Sequence, residues 1–132
     1  MLTHLHVKNL AIVEDIEIDF GEKLNILTGE TGVGKSVIVG SINIALGAKI
    51  SSDMVRTDAD YALVEMIFEI DEYEEQLLGE LDIHPEDGML IISRKITGGR
   101  SVSKINGETV TLGVLKKAAG KLIDIHGQHE HQ

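Results

Sequence analysis

Residues 29–36 read Gly-Glu-Thr-Gly-Val-Gly-Lys-Ser. They fit the pattern G-x-x-x-x-G-K-[ST], in which a glycine-rich loop wraps around phosphate groups. An apolar run at residues 24–27 precedes the loop, and a helix-like stretch at residues 35–46 follows it. Because a strand before the loop and a helix after it form the context that such a loop requires, the stretch predicts a phosphate-binding P-loop.

The residue types in this loop suit a nucleotide bound together with Mg²⁺. The glycines leave room for backbone N–H groups to point at a polyphosphate, and the following helix directs its positive end toward it. Lys35 supplies a point charge for the β- and γ-phosphates, and the Ser36 hydroxyl can coordinate Mg²⁺. A glycine-rich turn that only caps a helix is the alternative. The loop residues expected to bind ATP are Gly29, Glu30, Thr31, Gly32, Val33, Gly34, Lys35 and Ser36.

The composition is that of a globular chain. Its 132 residues, 42% of them hydrophobic, correspond to one domain or less. No apolar run approaches a membrane span and the N-terminus lacks the features of a signal peptide, so a cytoplasmic protein without a membrane partner is expected. The chain has no cysteine, which excludes disulfide scaffolds, thiolate metal sites and cysteine nucleophiles.

The charge is unevenly distributed. A net charge of −10 argues against a free-standing nucleic-acid binder, but residues 94–121 hold seven basic residues and a single acidic one, Glu108. This asymmetry predicts one basic face on an acidic body, and a solvated surface without a ligand is the alternative. The residues expected to contact DNA are Arg94, Lys95, Arg100, Lys104, Lys116, Lys117 and Lys121.

Periodicity before the middle of the chain predicts strands around the P-loop. Residues 2–7 and 16–20 are expected to form two short strands, and residues 24–27 a third that leads into the loop. The helix after the loop is expected to be buried against a sheet and to end at Gly47.

A strand is also expected within residues 54–70. Its end imitates a Walker B strand because Asp71 and Glu72 follow it. Acidic residues alternate with apolar ones along it, whereas a Walker B strand is apolar on both faces. We therefore expect this strand to be antiparallel and peripheral.

The second half is predicted to be mostly antiparallel. We expect an acidic helix at residues 72–81 and a turn at 83–88. Strands are expected at residues 89–96, 101–105 and 108–110, with reversals at Gly98-Gly99 and Asn106-Gly107. Thr111 is expected to cap a helix, and residues 122–125 to form a last strand.

Four stretches together resemble one family. They are residues 2–14, 27–36, 105–107 and 122–132, the last ending in His-Gly-Gln-His-Glu-His-Gln. Over its whole length the sequence is similar to the N-terminal part of bacterial DNA repair proteins in the SMC-like branch of the ABC-type ATPases. Val33 stands where this family more often has alanine, a change that should not disturb phosphate binding.

This resemblance implies an α/β P-loop NTPase fold, with residues 1–132 as the N-terminal lobe of an ABC/SMC-type head that has a mixed parallel core and an antiparallel β portion. The implied cofactors are ATP and Mg²⁺. The implied partners are the C-terminal lobe of the same protein, a second head that joins on ATP-driven dimerisation, and DNA in double-strand break repair and recombination. The full-length protein would be a nucleoid-associated ATPase. The sequence has no Leu-Ser-Gly-Gly signature, no credible Walker B and no sustained heptads, so we expect a truncated lobe that does not hydrolyse ATP by itself.

The resemblance also implies roles for residues outside the loop. Gln128, or else Gln132, would contact Mg²⁺ and the attacking water. Arg56 would reach a nucleotide phosphate, for which its permanently charged fork is suited. Lys8 and Asn9 would approach the nucleotide from the first strand.

Two of these roles have alternatives in the residues themselves. His126, His129 and His131 are spaced so that they could converge on a transition metal, or they could belong to a plain polar loop. Arg56 could instead form a surface salt bridge with Asp53 or Asp58.

Other functional classes remain open. A small P-loop kinase acting on a metabolite would need an acceptor-binding lid with arginines that face the γ-phosphate. The sequence has no arginine-rich lid. A purely structural module would leave the intact P-loop unexplained.

Overall fold

The computed structural model describes residues 1–10, 13–20, 32–50, 54–56, 58–98 and 100–126. Within these residues six strands form a single sheet, and three helices accompany it. The strands are β1 (Leu2–Leu10), β2 (Val13–Asp19), β3 (Ala62–Glu69), β4 (Met89–Thr97), β5 (Arg100–Ile105) and β6 (Glu108–Val110). The helices are α1 (Gly32–Ala45), α2 (Glu72–Gly79) and α3 (Leu112–His126). No helix in this part of the chain is long and apolar enough to cross a membrane.

The sheet has the strand order β2-β1-β3-β4-β5-β6, and each pair of neighbours is antiparallel. The prediction that the strand before Asp71 is antiparallel is confirmed, but its peripheral position is wrong. β3 lies between β1 and β4. A central strand can carry polar residues here because they all point to one face of the sheet, which is not covered by the described helices. The strand expected at residues 24–27 lies outside the described residues, so the parallel core stays a prediction.

The two faces of the sheet differ in burial. One face, which we call the covered face, carries Leu5, Met66 and Ile92, which are neighbours in the register and fully buried. Ile44 of α1 and Leu115 of α3 belong to the same apolar core. The alternating residues point to the other side, the open face, where side chains are half-buried or exposed. The helices therefore pack on the covered face and leave polar strand residues on the open face.

Local signals decide how the hairpins and helices begin and end. Asn106 and Gly107 have φ of 50° and 85°, which the turn between β5 and β6 requires. The Thr111 hydroxyl accepts a hydrogen bond from Val114 N at 3.1 Å and caps α3. The strand expected at residues 122–125 is wrong, since α3 continues to His126 and buries Leu122 on its core side.

Candidate functional site

The P-loop sequence leads directly into α1, which begins at Gly32. No acidic residue stands in the first turn of this helix, so no carboxylate there opposes a bound polyphosphate. The structure describes only the backbone of Gly32, Val33, Gly34, Lys35 and Ser36. Gly29, Glu30 and Thr31 lie outside the described residues.

The body of α1 is held by the covered face. Ser41, Ile44 and Ala45 are buried, whereas Val39 on the other side of the helix is 57% exposed. The helix ends where expected, since Gly47 has φ of 116° and Ala48 N donates to Asn43 O at 3.0 Å. The sheet therefore fixes the helix whose N-terminal end carries the phosphate-binding sequence.

The structure brings together two residues that the resemblance places near a nucleotide. Arg56 N donates to Asn9 O at 3.2 Å, and Leu10 and Val55 form an isolated bridge beside them. Asn9 has φ of 56°, which interrupts the regular alternation of β1. Lys8, the residue before it, pairs with Asp15 and Leu63 in the register.

The Arg56 side chain makes the surface contact that was the alternative to a phosphate role. Its Nε lies 3.5 Å from Asp58 Oδ1, and its Nη2 lies 4.0 Å from Glu14 Oε2. Pairs of this length with exposed carboxylates contribute little to stability, so they do not commit the guanidinium to one position. The phosphate role of Arg56 stays a prediction.

The side chains of the residues that were expected near the nucleotide or a metal at the C-terminal end of the sequence are not described. Gln128, Gln132, His129 and His131 lie outside the described residues, and His126 is described only as the end of α3. Among the residues that the structure does describe, no group of histidine, aspartate and glutamate could hold a metal ion.

The seven basic residues that were expected to contact DNA do not lie on one surface. Arg94 is buried inside the protein. It is only 2% exposed, and burial lowers the pKa of its guanidinium. Nη1 donates to Ile44 O at 2.8 Å and to Ala48 O at 2.7 Å, and Nη2 donates to Ser101 Oγ at 2.9 Å. The expectation that Arg94 contacts DNA is therefore wrong. Along β4 its side chain points to the covered face, as Ile92 does, and there it binds the end of α1.

Three other basic residues, Lys95, Arg100 and Lys104, share the open face. Lys95 pairs with Val102 in the register. Arg100 and Lys104 are each two residues from Val102 on β5, so their side chains point to the same face. The Lys95 ammonium also lies 4.6 Å from the centroid of the Tyr61 ring, a cation–π distance. Alternate positions of β5 therefore place Arg100, Val102 and Lys104 on one face.

The remaining three, Lys116, Lys117 and Lys121, lie on α3, which packs on the covered side. Lys121 Nζ lies 3.1 Å from Glu80 Oε1, and a Cβ built on Gly47 would lie 2.7 Å from Lys116 Cγ. The helix cations and the open-face cations therefore belong to opposite sides of the sheet.

Sequence reasoning missed a row of histidine–carboxylate contacts on the open face. His4 Nδ1 lies 2.6 Å from Asp19 Oδ1, and His6 Nε2 lies 2.8 Å from Asp15 Oδ1. The available signal was the matching alternation of the histidines in β1 and the acids in β2, which pair in the register. The open face is therefore acidic at its β2 end and basic at β4 and β5.

Comparison with known proteins gives concordant results. The model of a family described as "AAA domain" matches residues 4–131. The DNA repair protein RecN of Halalkalibacterium halodurans is 41% identical over 135 residues, which cover 100% of this chain and 24% of that protein. RecN of Bacillus subtilis is 40% identical over 136 residues, with 100% and 23% covered. The chain thus spans about a quarter of the length of these relatives.

Solved structures agree at the level of the fold. A structure from work on "ATP-driven dimerization and DNA stimulated activation of SMC ATPases" has a TM-score of 0.73 at 21% identity, with 92% of this chain and 79% of that chain covered. The recombination mediator protein RecF bound to ATP has a TM-score of 0.62 at 20% identity, with 87% and 30% covered. At these identities the likeness concerns the fold, which is that of a P-loop ATPase head. The chain belongs to the AAA domain family and matches the N-terminal part of the RecN proteins.

Proposed function

We propose that this chain is the ATP-binding lobe of an SMC-like ATPase that acts in DNA double-strand break repair and recombination. The complete motif at residues 29–36, leading directly into the sheet-bound helix α1, is the observation that carries the proposal. The names of the RecN relatives support the role in DNA repair. The full-length protein would be associated with the nucleoid in the cytoplasm. The partners of this lobe would be the C-terminal lobe of the same protein and a second head that joins when ATP binds.

The residues fit ATP and Mg²⁺ by their chemistry. Lys35 and the backbone amides of the loop neutralise and hold the phosphates, and the first turn of α1 contains no acid that would repel them. Ser36 and Gln128 offer neutral oxygen ligands of the kind Mg²⁺ accepts. When bound, MgATP supplies the phosphoryl group that is transferred to water.

Residues near the loop would complete the site. Arg56, held at its backbone by Asn9, would direct its guanidinium to a phosphate and release its weak pairs with Asp58 and Glu14. Lys8 and Asn9 would contribute from the end of β1. The comparisons do not favour a small metabolite kinase.

Calorimetric titration with ATP and ADP in the presence of Mg²⁺ tests this function. We expect saturable heat from the parent chain and none from Lys35→Ala, because the variant lacks the charge that faces the phosphates. Lys49→Ala is the matched control, since Lys49 is exposed beyond the end of α1 and should leave the titration unchanged. Equal heat from the parent and from Lys35→Ala would show that the P-loop is not the nucleotide site.

A further inference from the structure

Charges of opposite sign lie on opposite sides of the open face. Asp15, Glu17 and Asp19 alternate along β2 and are exposed, and we call them the acidic row. Arg100 and Lys104 on β5, which we call the basic row, are also exposed and take part in no ion pair between described residues. β2 and β5 lie four strands apart, about 19 Å across the sheet, so the two rows cannot pair within one copy.

Apolar side chains lie between the two rows. Leu63 and Ile67 of β3 point to the open face and are half-buried, and Ile67 pairs in the register with Ile91 of β4. Val102, within the basic row, is 48% exposed. An apolar centre with charged residues at its rim is the arrangement found in protein–protein interfaces. A second surface that covers this centre would remove apolar area from water.

The strand order makes the open face complementary to a second copy of itself. β3 lies two strands from β2 and two strands from β5, midway between the acidic row and the basic row. A two-fold axis that runs along β3, between two facing copies, therefore places the acidic row of each copy over the basic row of the other. The same axis brings together Leu63 and Ile67 of the two copies. Each charge contact occurs twice because the arrangement is symmetric.

The area of the open face limits how tightly two copies can bind. Five overlapping strands span about 19 Å across the sheet, and a length of about 20 Å along them gives about 400 Å² per copy. Standard interfaces bury about 800 Å² per partner, so this contact would be weak, with a Kd of about 0.1 mM. Glu65 lies between Leu63 and Ile67 on β3 and would meet its own symmetry copy at the axis, which weakens the contact further.

We propose that the open face is a self-association surface, through which two copies of this chain form a weak dimer without nucleotide. The sheets pack face to face, with their strands aligned to within about 30°. This dimer differs from a pair of heads joined by ATP, because the open face lies on the side of the sheet away from α1, the helix that follows the P-loop sequence. The inference goes beyond the proposed function and does not rest on it.

Sedimentation equilibrium of the 132-residue chain without nucleotide, from about 10 µM to 1 mM protein in about 50 mM salt, tests the dimer. The parent mass should rise from 14.4 kDa toward twice that value. The dimer should weaken in about 500 mM salt, because salt screens the two rows. A parent that stays monomeric at about 1 mM would overturn the proposal. Growth beyond the dimer would overturn it as well, because a two-fold contact closes on itself.

Two charge-reversal variants test the pairing of the rows. The acidic-row variant combines Glu17→Lys with Asp19→Lys. The basic-row variant combines Arg100→Glu with Lys104→Glu. Each variant alone sets like charges against each other and should dimerise about tenfold more weakly or less. An equimolar mixture should dimerise as well as the parent, because the introduced lysines then face the introduced glutamates and the native rows face each other.

The mixture also guards against misfolding, since variants that fail to fold would not recover in it. A mixture that stays monomeric where the parent dimerises would overturn the proposal. Single variants that dimerise as well as the parent would do the same.

Lys116→Glu combined with Lys117→Glu is the matched control. It makes the same charge change as the basic-row variant at two exposed residues of α3, on the other side of the sheet, and should dimerise like the parent. Equal losses in the control and the basic-row variant would show that only net charge matters, against the proposal. Glu65→Gln removes the like charges at the axis and should strengthen the dimer about twofold or more. A dimer no stronger than that of the parent would contradict an axis along β3.

Two further measurements distinguish this dimer from other uses of the chain. Fluorescence anisotropy of a labelled DNA duplex detects a different occupant of the basic row. A parent that stays monomeric and binds the duplex through that row would overturn the proposal. Titration of each variant with MgATP reports on the nucleotide site alone, so a failure of the dimer and a failure of the proposed ATP site give different results.

Discussion

Arg94 Nη1 lies 2.8 Å from the carbonyl oxygen of Ile44, so a side chain of β4 caps the C-terminal end of α1. The same nitrogen binds Ala48 O at 2.7 Å, beyond the end of the helix. The last carbonyls of a helix have no partners within it, and their partial negative charge favours a cation. Arg94 therefore ties the helix that follows the P-loop to the middle of the sheet.

Removing this link should lower stability strongly. Arg94→Met keeps the apolar stem but removes the donor to Ala48 O and to Ser101 Oγ and one of the two donors to Ile44 O, and we expect a loss of about 2 to 4 kcal/mol in the free energy of unfolding. Urea denaturation measures it. The control is Arg100→Met, the same change at an exposed position, which should stay within about 0.5 kcal/mol. A loss no larger than that of the control would show that the hydrogen bonds of Arg94 contribute nothing.

Helix α1 has a second constraint at Gly47. An alanine there would adopt φ of 116°, which side chains disfavour, and its Cβ would lie 2.7 Å from Lys116 Cγ. We expect Gly47→Ala to cost about 1 to 3 kcal/mol in thermal or urea unfolding. Adding Lys116→Ala should restore only the part caused by the contact, since the backbone strain remains. Full recovery in the double variant would contradict a backbone requirement.

Sequence reasoning succeeded where the cause is local. The turn at Asn106-Gly107 and the cap at Thr111 each depend on a few adjacent residues whose chemistry is visible in the sequence. It failed where the cause is distant. The sequence alone suggests that the charged Arg94 lies on the surface. Its buried position depends on the contact with Ile44, which lies fifty residues earlier in the chain.

The same distinction explains the errors in secondary structure. Residues 122–125 read as a strand because they are apolar and short, but the spacing of Leu115, Ala118 and Leu122 continues the helix across the core. The central position of β3 depends on its pairing with β1 and β4, and periodicity does not reveal which strands become neighbours.

Asn106 should be important for the hairpin that carries Lys104. Its φ is 50°, and its Oδ1 accepts a hydrogen bond from Ile91 N at 2.8 Å. Asn106→Ala removes the acceptor and disfavours this backbone conformation, so we expect a loss of about 1 to 2 kcal/mol. Asn106→Asp retains an acceptor and tolerates positive φ, and its loss should be smaller. Equal losses by urea denaturation would show that neither feature matters.

The isolated 132-residue chain should bind nucleotide without turning it over. The Asp71-Glu72 pair imitates a Walker B terminus, but β3 is antiparallel to both of its neighbours. The Asp71 carboxylate is already engaged, because it accepts a hydrogen bond from Glu74 N at 2.8 Å and caps α2. A carboxylate used in this way is not available to position Mg²⁺ or a water, so phosphate release should stay well below about 1 per second.

Replacing Asp71 distinguishes its role as the cap of α2 from a role in the nucleotide site. Asp71→Ala should cost about 1 kcal/mol of stability through the lost cap and leave the MgATP titration unchanged. Weaker nucleotide binding in this variant at equal folded fraction, or phosphate release by the parent near ordinary enzyme rates, would mean that Asp71 serves the nucleotide site after all. The cap of α2 would then be a secondary use of a functional carboxylate.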